Sequence, residues 1–323
     1  MNTTQENLRP DELADAARAA VADARQRGFG EASQVLAQAG LTGVCAREED
    51  GGLGLPLAFA VPIVQVAGEL DLRFPLPEQL LLARHLSGTP WAQALASGSQ
   101  TATIAWQGAL DNGWAGHARH ASDCDWVLVP ENTAEGPGAA LLELASLTVE
   151  QDASLDPEQP QQWLQCASAR VLTRLAAPAY AALLQEARLL MAALAHGAAT
   201  GALQATFTHV STRVQFGRPL SAKQAVRHWL SRMKLVLDVS GAAIERVLAT
   251  DEYGQPRSSV TTLAGALSNS AFVIEKAIHL HGGMGFTWDV PLHHALREVR
   301  KLDAAFGAGA LTSAAGRSFI ESA

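Results

Sequence analysis

Apolar positions recur along the chain with two different periods, and the change of period divides it into parts. In the stretch from Leu183 to Ala198, residues Leu183, Ala187, Leu190, Met191, Leu194 and Ala198 fall at the i, i+3, i+4, i+7 spacing that lines one face of a helix. Val226, Leu230, Met233, Leu237 and Ile244 repeat the pattern, as do Ala264, Leu267, Phe272, Ile274 and Ile278. A further segment starts near Pro291, a residue favoured in a first turn, and includes Leu296 and Arg297. Four such helices with short connections predict an antiparallel bundle over residues 177–323.

Residues 1–100 also read as helical. Asp11 and Glu12 stand where acids complement a helix N-terminus, Gly40 ends a segment begun before Leu36, and Glu48 to Gly54 is a glycine-rich loop. Between Leu57 and Leu86 apolar runs alternate with Glu69, Asp71 and Glu78 in the manner of packed helices. The texture then changes. Thr101 to Trp106, Trp126 to Val129 and Ser146 to Val149 are short β-branched or aromatic runs set off by Gly, Asp, Asn and Pro, which is strand and hairpin punctuation. The predicted fold is mainly α with a small β domain: a helical domain over 1–100, a short β domain over 101–176 and a four-helix bundle over 177–323.

Composition narrows the function classes. A chain of 323 residues with 48% apolar residues buries a large core. Its net charge of −8 argues against wrapping nucleic acid, which needs an excess of Lys and Arg. No apolar run reaches the length of a membrane span, and the first residues have neither a basic nor an apolar leader region, so a cytoplasmic location is expected. Cys45, Cys124 and Cys166 are few and widely spaced, which reads as buried thiols and gives neither a disulfide framework nor a metal site.

Two turns bound the region that carries the chemistry. The first is Arg213-Val-Gln-Phe216-Gly217-Arg-Pro219-Leu220-Ser-Ala-Lys-Gln224. Here Gly217 and Pro219 are expected to stop one helix and Ser221 to cap the next. The second is His281-Gly282-Gly283-Met-Gly285-Phe286, where backbone without Cβ leaves N–H groups open to phosphate oxygens. Taken alone, both read equally as ordinary capping turns of a bundle. Together they resemble the carboxy-terminal half of the acyl-CoA dehydrogenase family, in which R-x-x-F-G-x-P-L-x-x-x-Q and Q-x-x-G-G-x-G runs hold FAD across a subunit interface. The resemblance makes Arg213, Phe216, Gln224, Gly282, Gly283 and Gly285 the FAD-binding candidates, with His279 where the family has glutamine. It extends to Glu48-Glu49-Asp50-Gly51-Gly52-Leu53-Gly54, with Arg47 where the family has proline, and to the helix, sheet, helix order.

Desaturation of an acyl-CoA at Cα–Cβ needs a base for the α-proton and an acceptor for the hydride. The resemblance implies that FAD is the acceptor and that the base is a glutamate after an Arg-Asp pair. Arg297-Glu298 matches that pair, and the base position falls on Phe306, within Ala304-Ala305-Phe306-Gly307-Ala308-Gly309. At the alternative family site, just after the arginine of the first turn, stands Val214. His279, His281 and Asp303 are the candidates for a relocated base. The T-E-P-x-x-G-S-D loop and W-I-T stretch that cover the flavin are missing, and Glu135-Gly136-Pro137-Gly138 lacks their flanking residues. This pattern, with the His281 to Asp289 run, resembles the shortened, glutamate-lacking subunit of heterotetrameric, steroid-CoA type acyl-CoA dehydrogenases. That implies a glutamate-bearing homologue in an α2β2 assembly, an acyl-CoA substrate and electron transfer to electron-transferring flavoprotein. A flavin-free scaffold subunit and a self-sufficient homo-oligomer with a relocated base are the alternatives. Trp288 reads as a packing residue, and Ala304, Ala305, Ala308 and Gly309 as small residues leaving room for a bulky acyl group.

Overall fold

A computed structural model describes residues 9–321 except 154, 168 and 308. The chain forms two compact units, one of residues 1–64 and 72–190 and one of residues 65–71 and 191–323. The first unit opens on five helices, α1 (Pro10–Arg25), α2 (Phe29–Gln38), α3 (Leu57–Glu69, of which the part to Val64 belongs here), α4 (Leu76–His85) and α5 (Pro90–Ala96). Helix α1 begins with Asp11 and Glu12 and ends with Arg25, so both ends oppose the helix dipole, and its buried face is Ala14, Ala17, Val21 and Ala24. Thr89 caps α5, its hydroxyl accepting the Ala92 N–H at 3.4 Å.

Eight strands follow: β1 (Ala102–Ile104), β2 (Gln107–Ala109), β3 (Trp114–Gly116), β4 (Trp126–Thr133), β5 (Gly136–Glu143), β6 (Thr148–Asp152), β7 (Gln161–Gln165) and β8 (Val171–Leu175). They form two four-stranded sheets, ordered β1-β4-β5-β8 and β2-β3-β7-β6. The β1–β4 pair is parallel, and the other pairs are antiparallel. Val127, Val129, Ala140 and Leu142 from one sheet and Ala115 and Leu164 from the other share one buried cluster. Ala134 and Glu135 make the turn of the β4–β5 hairpin, with Thr133 opposite Gly136.

Buried polar groups join the helices of this unit to its strands. The Gln79 amide of α4 donates to the Leu95 carbonyl at 2.9 Å and the Gln100 carbonyl at 3.0 Å, and its oxygen accepts the Ala102 N–H at 2.9 Å. Beside it Glu78, fully buried, accepts from Arg119 at 3.3 Å. Glu186, near the start of α6 (Ala177–Thr212), accepts from Arg84 at 3.1 Å and lies 2.9 Å from His85 Nε2.

The second unit holds α6 from Met191 on, a two-residue-arm hairpin of β9 (Val214–Gln215) and β10 (Arg218–Pro219), then α7 (Gln224–Leu248), α8 (Val260–Leu280), α9 (Leu292–Ala305) and α10 (Ala310–Glu321). Trp229 packs near Phe272 and the Asn269 amide donates to Ser240 at 2.9 Å, so α7 and α8 run antiparallel. Helix α10 is a fifth element beyond the four of the expected bundle. The end of α3, residues 65–69, meets α6 through glycine: a Cβ on Gly197 would come within 2.0 Å of the Gln65 carbonyl oxygen, and one on Gly68 within 2.1 Å of the Leu194 carbonyl oxygen. Two local expectations are corrected. Ser221 is not the cap of α7 but lies in a 3-10 turn over Leu220–Ala222, and Lys223 precedes α7 without a side-chain cap. Gly217 does not stop α6, which has already ended at Thr212, but shapes the hairpin that follows. Among the described residues no helix is long and apolar enough to cross a membrane.

Candidate functional site

Arg213 is the first residue after α6, its N–H donating to the His209 carbonyl at 2.9 Å and its own carbonyl accepting from Leu220 N–H at 2.9 Å. These two bonds anchor the β9–β10 hairpin, whose two-residue turn is Phe216-Gly217, with φ of 52° and 76°. Positive φ at both positions gives the twist that a two-residue hairpin favours, and Gly217 adopts it freely. Phenylalanine does not, and the Phe216 ring is 92% exposed, with Lys223 Nζ 4.9 Å from its centroid. Gln224 is the exposed first residue of α7.

The second turn leaves the C-terminus of α8 as a 3-10 segment over Gly282–Phe286. A Cβ on Gly285 would lie 2.2 Å from the Ile278 carbonyl oxygen, so the turn is folded tightly against its own helix. Gly282, with φ of 66°, and Gly283 have open space where a Cβ would stand. His279 is exposed on the last turn of α8, whereas His281 is buried, its Nδ1 2.8 Å from the Ala277 carbonyl oxygen.

The two turns meet through a contact that the sequence does not announce. His209, one helical turn before Arg213, stacks on His281 with ring centroids 4.3 Å apart and planes 24° from parallel. One chain therefore brings the Arg213 end of α6 beside the glycine run. Burial, then the neighbouring His281 and Arg213, push the His209 imidazole below its ordinary value of 6.5. The signal that finds His209 is its i, i+4 relation to Arg213, whose N–H donates to the His209 carbonyl just past the end of α6.

Asp303 and Phe306 belong to a different turn, the C-terminal end of α9, where Phe306 is the capping position. The Asp303 carboxylate accepts the Gly309 N–H at 3.2 Å, so it braces the loop after α9. Ala305 is buried, and Ala308 lies outside the described residues. Trp288 is 60% exposed, with His293 edge-on at 4.6 Å and the Arg297 guanidinium 4.9 Å from its ring. The three thiols are free and buried, and desolvation pushes Cys45 up to about 12.

The donor set suits an anion. Arg213 is exposed and its guanidinium makes no hydrogen bond or ion pair among the described residues. No carboxylate occurs between Glu186 and Asp238, a stretch that contains Arg213, Arg218, Lys223, Arg227 and Arg232 in a chain whose net charge is −8. Open glycine backbone beside that arginine fits the diphosphate of a dinucleotide.

Residues 178–313, the helical unit with an arginine hairpin and a glycine turn at adjoining helix ends, match the family model described as "Acyl-CoA dehydrogenase, C-terminal domain", a family that uses FAD. Over 86% of its length the chain is 29% identical to the acyl-CoA dehydrogenase IpdE2 of Mycobacterium tuberculosis, covering 82% of that protein. Over 32% of its length it is 36% identical to IpdE2 of Mycolicibacterium smegmatis, of which it covers 32%. Among solved structures, the Tcur3481-Tcur3483 steroid ACAD variant matches with a TM-score of 0.84 at 23% identity, covering 97% of this chain and 98% of that one. The ChsE4-ChsE5 complex from Mycobacterium tuberculosis matches with a TM-score of 0.82 at 20% identity, covering 97% of each chain. The fold is thus that of an acyl-CoA dehydrogenase over nearly the whole chain.

Proposed function

We propose that this chain is the subunit of an FAD-dependent acyl-CoA dehydrogenase that holds the diphosphate side of the flavin and leaves proton abstraction to a glutamate-bearing homologue, in an α2β2 assembly. One observation carries the reading. Both flavin-motif turns are kept and joined in one chain, by His209 and His281, while Phe306 stands at the family's base position. A chain with no flavin role has no use for the first feature, and a self-sufficient dehydrogenase would need its base elsewhere because of the second.

In this reading Arg213 forms charge-assisted bonds to the diphosphate, because a guanidinium fork matches phosphate oxygens. The open Gly282-Gly283 backbone supplies N–H donors beside it, and Phe216, Gln224 and His279 border the site. Bound FAD supplies the hydride acceptor. The β region of this chain, whose Gly136-Pro137-Gly138 run is committed to a hairpin, lacks the family's ring-covering residues, so the partner covers the isoalloxazine. The Tcur3481-Tcur3483 steroid ACAD and the ChsE4-ChsE5 complex, each pairing two proteins, support a heteromeric assembly and a bulky acyl-CoA substrate. Electrons leave to electron-transferring flavoprotein, as the family implies.

The test is the visible absorbance of the purified chain, alone and after co-expression with a glutamate-bearing acyl-CoA dehydrogenase homologue. Flavin bound stoichiometrically only in the co-purified complex is the expected result. A colourless complex supports a flavin-free scaffold instead, and a yellow homo-oligomer that oxidises acyl-CoA supports a relocated base.

A further inference from the structure

His209 and His281 are absorbed by neither motif, yet they lie between them. His209 lies one turn before Arg213, whose N–H donates to the His209 carbonyl, and His281 immediately precedes the open Gly282-Gly283 backbone. Their stacking at 4.3 Å joins the end of α6 to the end of α8, where the two turns begin. The His281 Nδ1 is 2.8 Å from the Ala277 carbonyl, which can only accept, so that nitrogen carries a proton and Nε2 is left for other partners. His209 is half-buried, and neither of its ring nitrogens has a hydrogen-bond partner among the described residues.

The groups that act on His209 are His281, at the end of α8, and Arg213, just past the end of α6. Among the described residues no carboxylate acts on His209 to offset them. Without a ligand, protonating His209 is opposed by burial and then by its neighbours His281 and Arg213. A diphosphate held by Arg213 reverses the balance, since its negative charge lies against the same groups. We propose that the stacked His209–His281 pair is part of the anion site and that His209 takes up a proton from solvent when a diphosphate binds, so that binding is proton-linked. This rests on the reading that Arg213 and the glycine run hold the FAD diphosphate. The proton adds to a free imidazole nitrogen, which then donates to a phosphate oxygen, and no other bond is made or broken. Linkage requires that the proton taken up on binding equal the fall of log affinity per pH unit, so affinity falls as pH rises through the titration range of His209.

Two measurements test it. In the histidine-labelled chain, the His209 C2–H resonance, assigned by its loss in His209→Gln, is titrated with and without inorganic pyrophosphate. A midpoint below 6.5 that moves up by about half a pH unit or more with pyrophosphate is expected. An unmoved midpoint overturns the proposal, and this arm involves no flavin. In the complex with the partner, FAD binding is followed by calorimetry near pH 7 in buffers of different ionisation enthalpy. Uptake of a fraction of a proton per FAD is expected in the wild type and absent in His209→Gln and His209→Phe, the second of which keeps an aromatic ring on His281. Binding with no proton uptake overturns the proposal while leaving the flavin reading standing. Failure of the complex to bind FAD, with the pyrophosphate shift intact, overturns the flavin reading and keeps the proton-linked anion site. Should His209→Gln not fold, His209→Phe and the wild-type buffer series decide the outcome.

Discussion

Phe216 holds a left-handed backbone conformation that a bulky side chain disfavours by about 1–2 kcal/mol, and it does so almost fully in water. Nothing in the hairpin itself needs an aromatic ring there, because asparagine before glycine makes the same turn without strain. Phe216→Asn is therefore expected to raise the urea midpoint, by about 1 kcal/mol in unfolding free energy, while lowering flavin retention in the complex. A variant that gains no stability removes the strain argument, and one that keeps its flavin removes Phe216 from the site. Arg213 makes the complementary case. It is exposed and unpaired among the described residues, so Arg213→Ala should leave the circular dichroism and unfolding midpoint unchanged yet reduce flavin occupancy of the complex. Unchanged occupancy would count against the assignment.

Between elements, the first unit depends on polar joints that no local window of sequence displays. Glu78 is fully buried on α4 against Arg119, which follows β3. Removing one member of such a pair leaves a charge in the interior, so Arg119→Met should destabilise by about 3–5 kcal/mol, read as a lowered denaturant midpoint. At Glu186 burial favours the neutral carboxyl, but the His85 and Arg84 contacts outweigh it and the carboxyl lies below its ordinary 4.5. A depressed carboxyl contributes stability that is present above its unfolded pKa and is lost as pH falls through the folded value. Stability should thus fall below about pH 4.5, and Glu186→Gln should flatten that slope in a pH series of urea midpoints; an equally steep slope assigns the acid sensitivity elsewhere. The helices that these joints connect are legible, because faces such as Leu230, Met233 and Leu237 repeat at helical spacing and are buried as expected. Strands β2 and β3 are too short for a period to register. The hairpin at Phe216-Gly217 lacks the Asn-Gly signal that normally gives such turns away. His209 is a lone histidine on a helix until its distant partner His281 is known, so the motifs of the site could be read but not what joins them.

For the whole molecule, the substitution at Phe306 sets the outcome of an assay. Proton abstraction needs a positioned base, whose loss typically lowers rate by about 10²–10⁴-fold. The partner-free chain should show negligible acyl-CoA oxidation, and Phe306→Glu should restore little, since no ring-covering loop accompanies it. Steady turnover by highly purified chain would promote the relocated-base alternative. Exposed Met284, Phe286, Leu235 and Val239 on the second unit are the apolar surface such a chain would bury against a partner. Native mass spectrometry of the co-expressed pair should give an α2β2 mass, whereas a homo-oligomer that ignores the homologue would sink that assembly. The glycine contact between residues 65–69 and α6 has a further outcome. The part of the chain matched by the family model starts at residue 178 and leaves behind residues 65–71, which belong to the same compact unit. With carbonyl oxygens seated at Gly197 and Gly68, that short segment acts as a wedge which no side-chain repacking replaces. A fragment of residues 178–321 should be loosely folded by itself and regain protection from amide exchange when a peptide of residues 57–71 is added in trans, so limited proteolysis should release the helical half only with this peptide still attached to it.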